Sequence, residues 1–168
     1  MREILILGFE LLFIFCVVYA MITDYRWLRI PNVISIVLAA AFFPFALLAG
    51  PAIPFLAHLG IAAVIFLLLF VFFALGWLGG GDVKLAGAIM LWAGPANGGS
   101  FVVMFALLGG VLALLLMSLR FALVQYPQIE MVPVLSKFSG WARDGMCPYA
   151  LPIGAAALYV APAIFARV

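Results

Sequence analysis

The chain has 168 residues, of which 70% are hydrophobic and only 8% charged, with a net charge of +2 and a mean hydropathy of +1.38. A soluble domain of this size carries about 25% charged residues, so the apolar surplus has to face lipid. The few basic residues are scattered, which excludes a nucleic-acid surface. Cys16 and Cys147 have no second Cys or His nearby, which excludes a zinc site and a disulfide framework.

At about 20 apolar residues per membrane span, the length allows about six helices in one domain, residues 1–168, and an all-α polytopic membrane bundle is the fold expected. Residues 4–22 form the first span. This stretch begins with Glu3, carries Glu10 and ends at Asp24-Tyr25-Arg26 without a small-residue cleavage site, so it reads as a mature helix and not as a signal peptide. The second span, residues 33–48, opens after Ile30-Pro31-Asn32, with Pro31 suited to a first helical turn. The turn Gly50-Pro51-Ala52-Ile53-Pro54 leads to a third span over residues 55–75, and the segment Gly76-Trp77-Leu78-Gly79-Gly80-Gly81-Asp82 follows. Residues 83–93 are short for a full span, and Ala86, Gly87 and Ala88 permit close helix packing. A turn over residues 94–99, a fifth span over 100–123, a more polar loop over 124–148 and a last span over 149–165 complete the chain. Asp144 in that loop reads as solvated, and His58 as interfacial at the start of the third span.

The loops after spans one, three and five hold Arg26, Arg29, Lys84, Arg120, Lys137 and Arg143, whereas the other side holds Arg2 and Arg167. That bias marks the first set as cytoplasmic and leaves both termini on the opposite side. It also brings Asp24 and Asp82 to the same membrane edge, although they come from different loops. Ionisable groups at membrane depth are functional candidates by default. Two adjacent carboxylates sharing a proton can act as base and acid in peptide hydrolysis, since like charges so close cannot both ionise. Gly79, Gly80 and Gly81 offer unusual backbone angles and close approach for a substrate chain. Other roles remain open on the residues alone. Asp24 can pair with Arg26 or Arg29, Asp82 can cap a helix, and a proton-coupled transporter, a channel or a non-enzymatic assembly subunit also uses buried acids. Glu10 shares a helix face with Asp24 but lies about 21 Å away along the axis, which suits a structural hydrogen bond better than catalysis.

The segment Asp24-Tyr25-Arg26-Trp27-Leu28-Arg29-Ile30-Pro31-Asn32 resembles the D-x-R-x-x-x-I-P-N motif of type IV prepilin peptidases. Gly79-Gly80-Gly81-Asp82-Val83-Lys84 resembles their G-x-G-D-x-K motif, of which G-x-G-D is shared with presenilin-type and preflagellin peptidases. Pro148-Tyr149-Ala150-Leu151-Pro152-Ile153-Gly154 is similar to the start of their last helix. The resemblance implies an aspartyl endopeptidase of the bacterial inner membrane, with its active site on the cytoplasmic side. It would cut the leader from prepilins or pseudopilins at the cytoplasmic face of the lipid bilayer that houses it, with Asp24 and Asp82 as the catalytic pair and neither metal nor organic cofactor. Gly79, Gly81, Lys84, Arg26 and Asn32 would support the site, Lys84 and Arg26 either steadying negative charge or anchoring helix ends. Larger members carry an additional cytoplasmic region with CxxC pairs and methylate the new amino terminus. Here the first loop is short and no CxxC occurs, so the chain resembles the short form that processes Flp pilins of tight-adherence systems, without N-methyltransferase activity.

Overall fold

The computed structural model describes residues 1–126 and 136–166, apart from the side chains of Ser136, Lys137 and Asp144. Arg167 and the middle of the polar loop, residues 127–135, lie outside the described residues, as do the readings that rest on them. The helices are α1 (Arg2–Trp27), α2 (Asn32–Ala49), α3 (Phe55–Ala74), α4 (Gly80–Gln125), α5 (Ser136–Asp144) and α6 (Ala150–Phe165), with a single 3-10 turn at Gly50–Ala52 between α2 and α3. α1, α2 with its 3-10 extension, α3 and α4 are each long and apolar enough to cross a membrane, and α6 is a shorter apolar helix. The fold is an all-α membrane bundle, and many large apolar side chains, Leu47, Leu56 and Phe121 among them, point outward from it.

α4 is two arms joined at Gly94, whose backbone (φ 58, ψ −169) leaves the helix. Only glycine adopts that conformation cheaply. The first arm, residues 80–93, is the short fourth segment of the sequence lengthened at its start, and the second takes the place of the fifth span. The turn expected over residues 94–99 contracts to Gly94 alone, because Pro95 suits a first helical turn and helix resumes there. Pro95 has no N–H to offer the carbonyl of Leu91 four residues earlier. His58 replaces it, with Nδ1 at 2.6 Å from that oxygen. A carbonyl only accepts, so Nδ1 carries the proton. His58 is therefore buried against its protein neighbours and stacked on Phe42 at 5.5 Å. A Cβ on Gly94 would overlap the imidazole ring. Gly94→Ala thus meets both a strained backbone and a clash, and a fall in melting temperature of roughly 5–10 °C is expected in detergent.

Trp92 sits at the centre of the core and is 1% exposed. Phe45 stacks on it at 4.8 Å, Phe13, Phe42 and Phe165 surround it at 5.4, 5.9 and 5.8 Å, and its indole N–H donates to the Leu38 carbonyl at 2.9 Å. This cluster ties the first arm of α4 to α1, α2 and α6, which fixes Asp82 on α4 relative to Asp24 on α1. At the same end as Trp92's neighbour His58, Arg2 donates to the carbonyls of Leu48 and Ala49 and so closes the C-terminus of α2.

The polar loop holds a helix that its composition concealed. α5 lays Phe138, Trp141 and Ala142 against Leu116 and Leu123 of the second arm of α4, and Trp141 meets Tyr25 edge-on at 5.5 Å.

Candidate active site

α1 runs one turn beyond Asp24, to Trp27, and ends on Leu28 in the left-handed conformation (φ 51, ψ 41), with the Leu28 N–H bonded to the Asp24 carbonyl at 2.8 Å. That cap turns the chain sharply, so that Arg29, Ile30, Pro31 and Asn32 fold back beside Asp24. Together with Gly79, Gly80, Gly81 and Asp82 they line one cavity of about 510 Å³. The two aspartates therefore converge from separate helices, close enough to feel each other's charge. Both are largely buried, 6% and 9% exposed.

Each carboxylate is held by one backbone N–H. Oδ2 of Asp24 accepts from Ala150 at 2.9 Å, in the first turn of α6. Oδ2 of Asp82 accepts from Gly79 at 3.1 Å. A helix N-terminus presents unpaired N–H groups and partial positive charge, so both acids cap helices as well as facing the cavity. Asp82 does so from the third helical position and Gly79 is the N-cap residue. These bonds fix the carboxylates in place and leave the second oxygen, Oδ1, of each unused by them. Two fixed, mostly buried carboxylates on one cavity can activate a water with one group and protonate a leaving amine with the other.

The glycines act through space and not through backbone angle. Gly79 has φ −76 and ψ 145, open to any residue, but a Cβ there would lie 2.8 Å from Asp82 Oδ2. A Cβ on Gly81 would lie 3.1 Å from Ile30 Cβ. Lys84 donates to Asn32 Oδ1 at 3.0 Å, a bond that spans α4 and α2 at the cavity mouth. Arg26 does not line the cavity; its guanidinium lies 5.8 Å from the Trp27 ring. Residues two apart on a helix differ by about 200°, and with α1 continuous through Trp27 the Arg26 side chain leaves on the face away from Asp24. Arg29, beyond the cap, takes the place at the cavity that the sequence suggested for Arg26. Glu10 is half-buried and lies outside the cavity. The Ala150 N–H and the Leu28 turn had no signal in the sequence pattern.

Cys147 lies just before α6, outside the membrane helices. Burial pushes its thiol up to about 11, with the charge of Asp82 and, less strongly, of Asp24 adding to the rise. A thiol with a raised value holds less thiolate at a given pH, so at pH 8 Cys147 has about a hundredfold less than an ordinary cysteine. In a Cys16→Ala background, alkylation of Cys147 by N-ethylmaleimide is expected to be slower by about that factor, and faster again when Asp82 becomes Asn.

The class defined by this fold and site is a polytopic helical membrane protein with a paired-carboxylate cavity at one end of the bundle. Residues 11–119 match the model of the type IV leader peptidase family. The match covers more than half of the chain and both aspartates, and the protein belongs to that family of membrane peptidases, which are aspartic-type. In the other two comparisons, no curated protein and no solved structure matches.

Proposed function

We propose that the chain is an aspartyl endopeptidase that removes the leader from Flp-type prepilins at the cytoplasmic face of the bacterial inner membrane, with Asp24 and Asp82 as its catalytic pair. The observation that carries the reading is the convergence of these two buried carboxylates on one cavity. One carboxylate, ionised, takes a proton from the attacking water. The other, protonated, donates to the scissile carbonyl. The first then passes the proton it took from water to the departing amine, while the second regains a proton from the tetrahedral intermediate's hydroxyl as the C–N bond breaks, so the pair again holds one proton. The titration belongs to the pair, so the pH–rate profile is bell-shaped with limits assigned to neither residue alone.

The bias of Arg and Lys toward the loops at the dyad end supports a cytoplasmic site. The short turn from Leu28 to Asn32 leaves no room for a CxxC region, which supports leader cleavage without N-methylation. Glu10, the acid nearest a mid-membrane position, stands apart from the dyad, which disfavours the transporter reading. The test is co-expression with a Flp-type prepilin, read by gel shift and N-terminal sequencing. The expected result is one new amino terminus, unmethylated, with cleavage unaffected by strong chelator in the purified system. Chelator-sensitive cleavage restored by added metal would contradict the mechanism.

A further inference from the structure

A second cavity, of about 520 Å³, opens beside the first and shares Asn32 with it. α2 and α3 touch through Phe42, Phe43 and Phe55 near their connection. Beyond that they pack on α4 and not on each other, so they splay apart toward the dyad end. The space between them is a groove floored by the first arm of α4. On α2 it runs from Asn32 to Ala39, and on α4 from Lys84 to Leu91. Each spans eight residues, seven steps or about 10 Å of helix, leading from the dyad edge into the membrane. Its walls are almost wholly apolar, with small side chains at Ala39, Ala63 and Gly87.

One group does not belong in such a wall. Ser35 is 7% exposed and lines the groove, and its hydroxyl is the one buried side-chain polar atom without a hydrogen-bond partner among the described residues. A serine inside a helix ordinarily bonds back to its own helix, and a buried unpaired hydroxyl is costly. Lipid acyl chains have nothing to offer it. The occupant of the groove must be apolar enough for the membrane and must carry a polar group about one turn below the dyad edge. A second copy of this chain seated there would cover the mouth shared with the catalytic cavity.

We infer that the groove between α2 and α3 receives the first two turns of the substrate's membrane-spanning helix, immediately beyond the scissile bond, and that Ser35, whose Oγ is covered in the rotamer seen here, turns about χ1 to accept from a backbone N–H of its first turn. The first N–H groups of any helix lack intrahelical partners, and a hydroxyl oxygen accepts one of them. The Lys84–Asn32 bond marks where the extended stretch crossing the dyad passes into the helix in the groove. This rests on the proposed cleavage of a prepilin-type precursor and assigns the part of the enzyme that holds the retained, apolar portion.

The test uses the purified full-length chain and a Flp-type prepilin precursor reconstituted in lipid nanodiscs. Ala39→Phe and Ala63→Phe fill the groove, and each is expected to raise KM by about tenfold or more with kcat changed less than twofold. Ser35→Ala is expected to raise KM by about two- to tenfold, with Ser35→Thr restoring most of it. A photo-crosslinking residue at Ile36, in an Asp82→Asn background, is expected to capture the apolar segment of the precursor, and one at the lipid-exposed Val103 is not. Unchanged KM in Ser35→Ala together with Ile36 cross-links only to lipid or to a second copy of the chain would overturn the inference. If a phenylalanine variant fails to fold, the Ser35 and Ile36 measurements decide alone. Loss of the proposed function is a separate outcome, seen as a wild-type chain that leaves the precursor uncut.

Discussion

Asp24→Asn and Asp82→Asn are each expected to lower the rate of precursor cleavage by about a thousandfold or more, and the double variant to be no worse than either single. Asparagine keeps an oxygen that can still accept from Ala150 or Gly79, so the caps that these acids make at 2.9 and 3.1 Å survive. Removed are the negative charge and the ability to move a proton. A dyad works as one unit, and removing either half removes nearly all of its effect, which makes the losses strongly non-additive. Protein level in the membrane and melting temperature are expected to stay close to wild type. An alanine at position 24 is different, because it also uncaps α6, at a cost of about 1 kcal/mol. Comparison of Asn with Ala at each position therefore separates the chemical role from the capping role. Glu10→Gln is the internal control: Glu10 lies outside the cavity, and much of the activity is expected to remain.

The second large effect is expected from a single methyl group. Gly79 has backbone angles that alanine adopts without strain, so Gly79→Ala leaves the fold intact. Its new Cβ would stand 2.8 Å from Asp82 Oδ2, well inside ordinary contact. The carboxylate has to move, and it loses its bond to the Gly79 N–H as it does. A displacement on the order of 1 Å at a reacting group can cost about a hundredfold in rate, and a fall of that size in kcat is expected with KM little changed. Gly81→Ala presses instead on Ile30 Cβ at 3.1 Å, a wall of the cavity and not the dyad, and its expected loss is smaller. Equal losses at the two positions would mean that the glycines serve general packing and not the placement of Asp82.

Much of this architecture is legible in the sequence because membrane helices leave few choices. Long apolar runs broken at Pro31, Pro51 and Gly76 mark the helices. Alternation of direction alone then brings Asp24, Asp82 and the start of α6 to one end. Details of the site are less legible, since they depend on where helices stop. Ending the first span at residue 22 put Arg26 in a loop near Asp24, whereas one further turn of α1 swings it to the opposite face and hands its place to Arg29. The partner of His58 was hidden for a similar reason. It is a carbonyl freed by Pro95 on another helix, a long-range match that local pattern does not carry. In α5, Phe138, Trp141 and Ala142 have helical spacing, but the surrounding Ser, Lys, Arg and Asp hid it within a stretch that looked like loop. Ser35 stands in an apolar helix where serine usually bonds to its own backbone, so only the structure separates it from an inert residue.

The most direct measurement is the intact mass of a Flp-type prepilin after incubation with the purified chain in lipid and excess chelator. The expected result is a single product lighter by the leader alone, formed by the wild type and absent with the Asp24→Asn, Asp82→Asn double variant. A precursor cut equally well by that double variant, or left whole by the wild type, would contradict the assignment of the two aspartates and the cleavage proposed for them.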